Sequence, residues 1–231
     1  TSEYFGNLYE KDKMKFDIIY KLFIDKTSHL LKLVGANINT VPVLDLRIKG
    51  SNNIIGDRSF SKKAKTVSKM GDLCIKLFQE NSIGTIIKHI PGHGLAKVDS
   101  HNFTPVVYKS LNYLKKYDFS VFKKKSCFFA MTAHVIYKNI DKLNTATHSK
   151  KVINHIRNSI GFKNIIISDD LSMKSLKETM KDNTIKSFKA GCNIVLHCNG
   201  NLNEMKIVAE NSPLISSFII KKTSQFYKIL S

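Results

Sequence analysis

The sequence predicts an α/β fold built on a parallel sheet, and three observations lead there. Short apolar runs alternate with amphipathic stretches along the whole chain, the pattern of strand, helix, strand, helix. Two of the runs, Thr85-Ile86-Ile87 and Ile165-Ile166-Ile167, are continuously apolar, as strands buried on both faces are. Each breaks into a loop crowded with ionisable groups, Lys88 to His101 (KHIPGHGLAKVDSH) and Ile166 to Met173 (IISDDLSM). Parallel α/β proteins keep their chemistry on the loops at strand C-terminal ends.

Taken in order, Asp12 to Val34 is a helix with an apolar stripe at Ile18, Ile19, Leu22, Phe23, Leu30 and Leu31, ended by Gly35. Ile38 to Leu44 is a strand ending at Asp45, and a loop over 47–60 carries IGDRSF. Val67, Met70, Cys74 and Leu77 recur at helical spacing within Lys62 to Asn81, which leads to the strand Thr85 to Lys88. Ser110 to Lys124 reads as helix and Cys127 to Met131 as the next strand, feeding AHVIY. Ser149 to Ile160 is amphipathic through Val152, Ile153 and Ile156, and Gly161 stops it. The strand Asn164 to Ser168 delivers Asp169; the helix Thr184 to Ala190 precedes the strand Asn193 to His197; helices at Leu202 to Ala209 and Pro213 to Leu230 close the chain. Five strands joined by right-handed crossovers fall short of an eight-stranded barrel.

Composition narrows the function. No apolar run approaches the roughly 18 residues that span a bilayer, so no membrane partner is expected. Cys74, Cys127, Cys192 and Cys198 share neither a metal-binding spacing nor a secreted disulfide pattern, and a reducing cytoplasm suits them. The net charge of +19 invites a nucleic-acid reading. Against it, arginine occurs only at Arg47, Arg58 and Arg157, and lysine is scattered over every predicted helix, without the Arg forks and interleaved aromatics of a nucleic-acid face.

The two loops offer Lys88, His89, His93, Asp99 and His101 on one side and Asp169 and Asp170 on the other. Plainer roles stand beside chemical ones. Asp169 or Asp170 would serve as a helix N-cap after the strand, His93 between two glycines as a loop-shaping residue, His134 as a core histidine, and Asp45 as a site wall or loop cap. The histidine spacing fits no standard zinc pattern, so no metal is expected.

At this point the residues carry a family resemblance. KHIPGHG with the following DSH, AHVIY and IIISDDLSM, with PVLD, GDRS and AGCNIVL in the same order, resemble the signature segments of the glycoside hydrolase family 3 catalytic domain. The resemblance implies a TIM-barrel-like (β/α)8 fold, here incomplete, as a single domain over 1–231. It implies retaining hydrolysis of terminal β-N-acetylglucosamine residues, with cell-wall muropeptides as the carbohydrate partner and no cofactor. It makes Asp169 the nucleophile, His101 the acid/base group and Asp99 its orienting carboxylate, with Arg58, Lys88 and His89 binding the sugar.

The chemistry agrees with that assignment. A retaining glycosidase needs a carboxylate to attack the anomeric carbon and a second group to protonate the leaving oxygen. An imidazole, with an ordinary pKa near 6.5, suits proton transfer at neutral pH, and a carboxylate behind it fixes its tautomer. Two departures matter. The Asp-x-Glu-Gly-Gly segment that ends the family's second strand has no counterpart in Thr1 to Asp45, and Thr132 stands where close relatives carry Pro. The expectation is a domain lacking roughly its first third, with an unpaired sheet edge and the apolar residues of 38–44 short of a neighbour. An impaired remnant of the enzyme and a polyanion-binding protein remain alternatives.

Overall fold

The computed structural model describes residues 1–48, 50 and 53–230. Its centre is an open parallel sheet of five strands in the order β1 (Ile38–Asn39), β2 (Gly84–Ile90), β4 (Phe129–Thr132), β6 (Ile165–Asp170) and β7 (Ile194–Leu196). These are the five expected strands, all parallel. Two short strands, β3 (Val106–Val107) and β5 (Ile136–Tyr137), form a separate parallel pair that apolar periodicity does not reveal at that length. The ladder slips twice. Between Lys88 and Ile90, β2 carries one residue more than β4, and between Ile167 and Asp170, β6 carries one more than β7.

The expected strand 38–44 forms a regular ladder only at Ile38 and Asn39. Pro42 interrupts it because it has no N–H to give. The chain nevertheless stays beside β2, with Lys88 N donating to Pro42 O at 3.1 Å and Leu44 N to Lys88 O at 2.7 Å. Among the described residues β1 has no strand on its other side, so it is the unpaired sheet edge that was expected, although Val43 and Leu44 are buried all the same. Leu44 seats on Gly71 of α3 (Ala64–Glu80), where any added Cβ would lie 2.4 Å from Leu44 Cδ2.

Residues 2–11 form a helix, α1 (Ser2–Lys11), capped by the Thr1 hydroxyl, which the sequence reading left unassigned. Its Phe5 packs on Tyr20 and Phe23 of α2 (Lys13–Leu33). The expected stripe of α2 is wrong. Phe16, Tyr20, Ile24 and Ser28 are buried, whereas Ile18, Leu22, Phe23 and Leu30 are 62%, 63%, 48% and 52% exposed. Ile19 and Leu31 pack partly against the core. The helix carries apolar residues on more than one face, and its i, i+4 row at 16, 20, 24 and 28 is the buried one, with Tyr9 and Phe5 of α1 against Phe16 and Tyr20.

The helix expected over 110–124 is only α4 (Leu111–Lys116), because the following residues turn Asp118, Phe119, Val121 and Phe122 into the core. α5 (Lys150–His155) runs through a wider turn to Ile160 and stops at Gly161, whose φ of 86° suits glycine. α6 (Met180–Ala190) begins earlier than expected, capped by Thr179 with Asp182 three residues on. α7 (Leu202–Glu210) and α8 (Ser217–Leu230) complete the chain. The 47–60 loop holds a 3₁₀ turn at Gly56–Arg58; residues 49, 51 and 52 lie outside the described ones.

Alternation along the strands divides the core. Ile87, Ala130 and Ile166 join the large cluster under the helices, while Ile86, Phe129, Met131, Ile165 and Ile167 face the other way and are covered by Phe226 of α8. Phe226 lies edge-on to Phe129, ring centroids 5.0 Å apart. Among the described residues no helix is long and apolar enough to cross a membrane.

Candidate active site

The site grows from the parallel ladder. Because β1, β2 and β6 run the same way, Asp45, Lys88, His89 and Asp169 emerge at one end of the sheet. Asp45 is fully buried and accepts four hydrogen bonds. His89 Nδ1 lies 2.6 Å from its Oδ2, the His89 backbone N–H reaches both oxygens at 3.3 and 3.2 Å, and the His93 N–H donates to Oδ1 at 2.6 Å. Burial pushes the Asp45 carboxyl up, but His89 and His93 outweigh it and hold the group below the usual carboxylate range. His89 is thereby aimed across β4, its Nε2 3.9 Å from Asp169 Oδ2.

Asp169 is held in the same way. Burial raises its carboxyl, yet His89, His134, the Asp170 N–H and Lys88 together bring it below its ordinary value, so it is a carboxylate at neutral pH. Lys88 is itself lowered by burial and by Arg58, with Asp169 and Asp45 opposing. Asp99 and His101 sit on a tight turn. Asp99 Oδ1 accepts from the His101 backbone N–H at 2.7 Å and lies 2.8 Å from His101 Nδ1. Burial raises Asp99, and the two His101 contacts bring it below the usual range. With Nδ1 engaged, Nε2 of His101 is the free nitrogen.

Arg58, Lys88, His89, His101 and Asp169 line one cleft of about 350 Å³, together with Ile54, Ile55, His93 and Ser100. Asp99 stands behind His101. The structure thus brings together all six residues singled out by sequence. A larger depression of about 800 Å³ lies between α1 and the loop after β1, but both of its carboxylates are already paired, Glu3 with Arg47 and Glu10 with Lys63, and among the described residues no histidine or aspartate faces it. We place the chemistry in the smaller cleft.

Asp170 does not cap a helix, since a turn follows it. It accepts from Ser172 N at 3.0 Å, Ser172 Oγ at 2.6 Å and Cys198 N at 3.1 Å, tying the β6 tip to the β7 tip. His134 is a buried histidine holding Thr147 Oγ1 at 2.7 Å and the Asp170 carbonyl at 3.0 Å. No cluster of three or more His, Cys, Asp or Glu residues suited to a metal occurs among the described residues.

The model for the glycosyl hydrolase family 3 N-terminal domain matches residues 11–223. The chain belongs to glycosyl hydrolase family 3. Among its family 3 relatives, a beta-hexosaminidase of Nitrosomonas eutropha is 32% identical over 174 residues, covering 73% of this chain and 50% of that protein. A beta-hexosaminidase of Neisseria meningitidis serogroup B is 33% identical over 174 residues, covering 73% of this chain and 48% of its own length. The chain therefore spans about half the length of the curated relatives it matches. The crystal structure of NagZ from Neisseria gonorrhoeae with N-trifluoroacetyl-D-glucosamine superimposes with a TM-score of 0.86 at 27% identity, covering 98% of this chain and 67% of that one. The half-barrel of five parallel strands is thus the family 3 fold, and the sheet is incomplete relative to a closed (β/α)8 barrel.

Of the residues that sequence reasoning left without chemistry, Asp45 matters most. Its signals were its position, as the residue that ends the apolar run Val41 to Leu44 at a strand tip, and its place in the PVLD segment.

Proposed function

We propose that this domain catalyses retaining hydrolysis of terminal β-N-acetylglucosamine residues, taken from cell-wall muropeptides in the cytoplasm. One observation carries the reading: a carboxylate held ionised, Asp169, and an imidazole backed by a carboxylate, His101 with Asp99, face the same 350 Å³ cleft. In the first step an Asp169 oxygen attacks the anomeric carbon. The glycosidic bond breaks, and its oxygen leaves with a proton from His101 Nε2. In the second, His101 takes a proton from water, whose oxygen attacks the same carbon and frees Asp169. Lys88, Arg58 and His89 grip hydroxyl groups of the sugar, and Asp99 stabilises the imidazolium as it forms. The relatives named beta-hexosaminidases support the sugar class, and the four free thiols suit a reducing compartment.

The test is mechanism-based labelling. A 2-deoxy-2-fluoro glucoside, in which fluorine replaces the acetamido group, or a 5-fluoro N-acetylglucosaminide, each with a good leaving group, should trap a glycosyl ester on Asp169, read by peptide mass spectrometry. A label on Asp170 would move the nucleophile, and turnover without any trapped ester would remove the covalent step. The polyanion alternative predicts tight binding to nucleic acid that survives physiological salt; counterion release makes purely non-specific retention vanish there.

A further inference from the structure

The acid/base turn is poorly buried on its own. The His101 side chain is 61% exposed and that of Asp99 32%, although their residue positions must hold to fractions of an ångström for proton transfer. Residues 99–103 form a compact unit, with Asn102 N and Phe103 N both donating to the Asp99 carbonyl at 3.1 and 2.9 Å. That unit is tied to the β6–α6 loop by Lys174 N to His101 O at 3.2 Å and by Thr104 Oγ1 to Ser175 O at 2.7 Å. On the nucleophile side the tie is a side chain. His93 Nε2 lies 3.1 Å from Ser100 Oγ, with both residues buried, and Ser100 is the residue between Asp99 and His101.

His93 also holds the other end. Its backbone N–H donates to Asp45 Oδ1 at 2.6 Å, Asp45 Oδ2 contacts His89 Nδ1 at 2.6 Å, and His89 Nε2 faces Asp169 Oδ2 at 3.9 Å. Hydrogen bonds therefore lead from the acid/base turn through Ser100, His93 and Asp45 to His89, whose ring then faces the nucleophile Asp169 across 3.9 Å. We propose that His93 and Ser100 form a latch, a pair of positioning residues that fixes the distance between the His101 turn and Asp169 by bonding the turn to the Asp45 hub. His93 Nδ1 is buried with no partner, so the contact at Nε2 is the ring's one polar tie, and its loss leaves the turn hinged on the β6–α6 side alone. The kinetic part of this inference rests on the proposed hydrolase reading; the structural part does not.

Ser100→Ala, His93→Asn and His93→Gln separate the outcomes. Asn places its polar atoms where Nδ1 stands and cannot reach Ser100, whereas Gln reaches the Nε2 position. In hydrogen exchange on the purified protein, Ser100→Ala and His93→Asn should each speed amide exchange over 95–103 while β2 and β6 stay protected, and His93→Gln should recover most of the protection. Kinetically, the first two should slow N-acetylglucosaminides with poor leaving groups at least about tenfold more than activated aryl ones, since only the former need the proton from His101. The double variant Ser100→Ala/His93→Asn should be no worse than the more damaged single variant. Unchanged exchange over 95–103 in both Ser100→Ala and His93→Asn overturns the latch, as does an equal loss on both substrate classes. If the unmodified protein hydrolyses neither substrate class, the proposed function falls, and the exchange measurement alone decides the latch.

Discussion

The two halves of the cleft are built on opposite terms. The half around Asp169, the proposed nucleophile, is a buried, over-determined cluster: Asp45 with four bonds, His89 aimed by it, and Asp169 ionised by the groups around it. The acid/base half is a half-exposed turn whose internal bonds are good but whose moorings are few. Damage to the first should therefore appear as lost folding energy and lost turnover together. Damage to the second should appear as lost proton transfer with the fold intact.

The largest effect expected is on the attacking carboxylate. Asp169→Ala should cut turnover by about 10⁴-fold or more on every N-acetylglucosaminide, activated or not, because no leaving group compensates for a missing nucleophile. Steady-state rates on two leaving groups check it. Asp45→Ala comes next and marks the buried half. Removing one partner of a buried pair leaves His89 and two N–H groups without an acceptor, a loss of about 3–5 kcal/mol. Urea unfolding should show it, and a variant as stable as the parent would remove Asp45 from the centre of the cluster.

Acid probes the join between the halves. Burial and the nearby His89 push His93 down to about 4 from 6.5, against the opposing pull of Asp45 and Asp169. A histidine lowered on folding adds stability above its unfolded value and loses it as pH falls towards the folded one. Each pH unit in that window is worth about 1.4 kcal/mol, so about 3 kcal/mol of stability should disappear between pH 6.5 and about 4. His93→Gln should flatten that part of the stability curve, and an unchanged slope would contradict the assignment.

His101→Ala should show the opposite signature to Asp45→Ala. It should lower turnover about a hundredfold or more on poor leaving groups, leave activated aryl glycosides little affected, and keep the unfolding midpoint unchanged. Equal loss on both would make His101 structural. The smallest effect concerns Asp118, fully buried beneath Gly92 and Gly94. Burial and the nearby Asp45 push its carboxyl well above the ordinary value. Its protonation favours the fold below the unfolded pKa, and that advantage is lost as pH rises towards the folded one. Asp118→Asn, always neutral, should equal the parent near pH 3 and exceed it in stability at neutral pH, as melting curves at the two pH values would show.

The same contrast explains what was legible in the sequence. Strand tips announce themselves, because a continuous Ile run ending in Lys-His or Ser-Asp-Asp is a local pattern. Lys88, His89 and Asp169 were found that way, with Asp99 and His101 in the loop that follows, and the family motifs added Arg58 and the role of each. Asp45 was noted only as a site wall or loop cap, and Asp118 was not noted, since their roles are set by partners that lie far along the chain: Asp45 meets His89 44 residues later. Helix faces were read less well than strands. The stripe expected on α2 runs through Ile18 and Leu22, yet the buried row is Phe16, Tyr20, Ile24 and Ser28, and only the packing of neighbouring helices such as α1 chooses between the two. The short α4 failed for a related reason, because the chain must break there to send Asp118 and Phe119 inward.

The two slips in the ladder have a further consequence. Successive residues of a strand ordinarily point to opposite sides, yet Lys88 and His89 both line the cleft, at the step where β2 carries one residue more than β4. β6 gains its own extra residue against β7 at the step that contains Asp169. The site is thus written in the spacing of the chain as much as in its chemistry. A one-residue deletion within 88–90 or 168–170 would keep almost every functional group in the protein, yet turn the wrong one of each neighbouring pair towards the sugar.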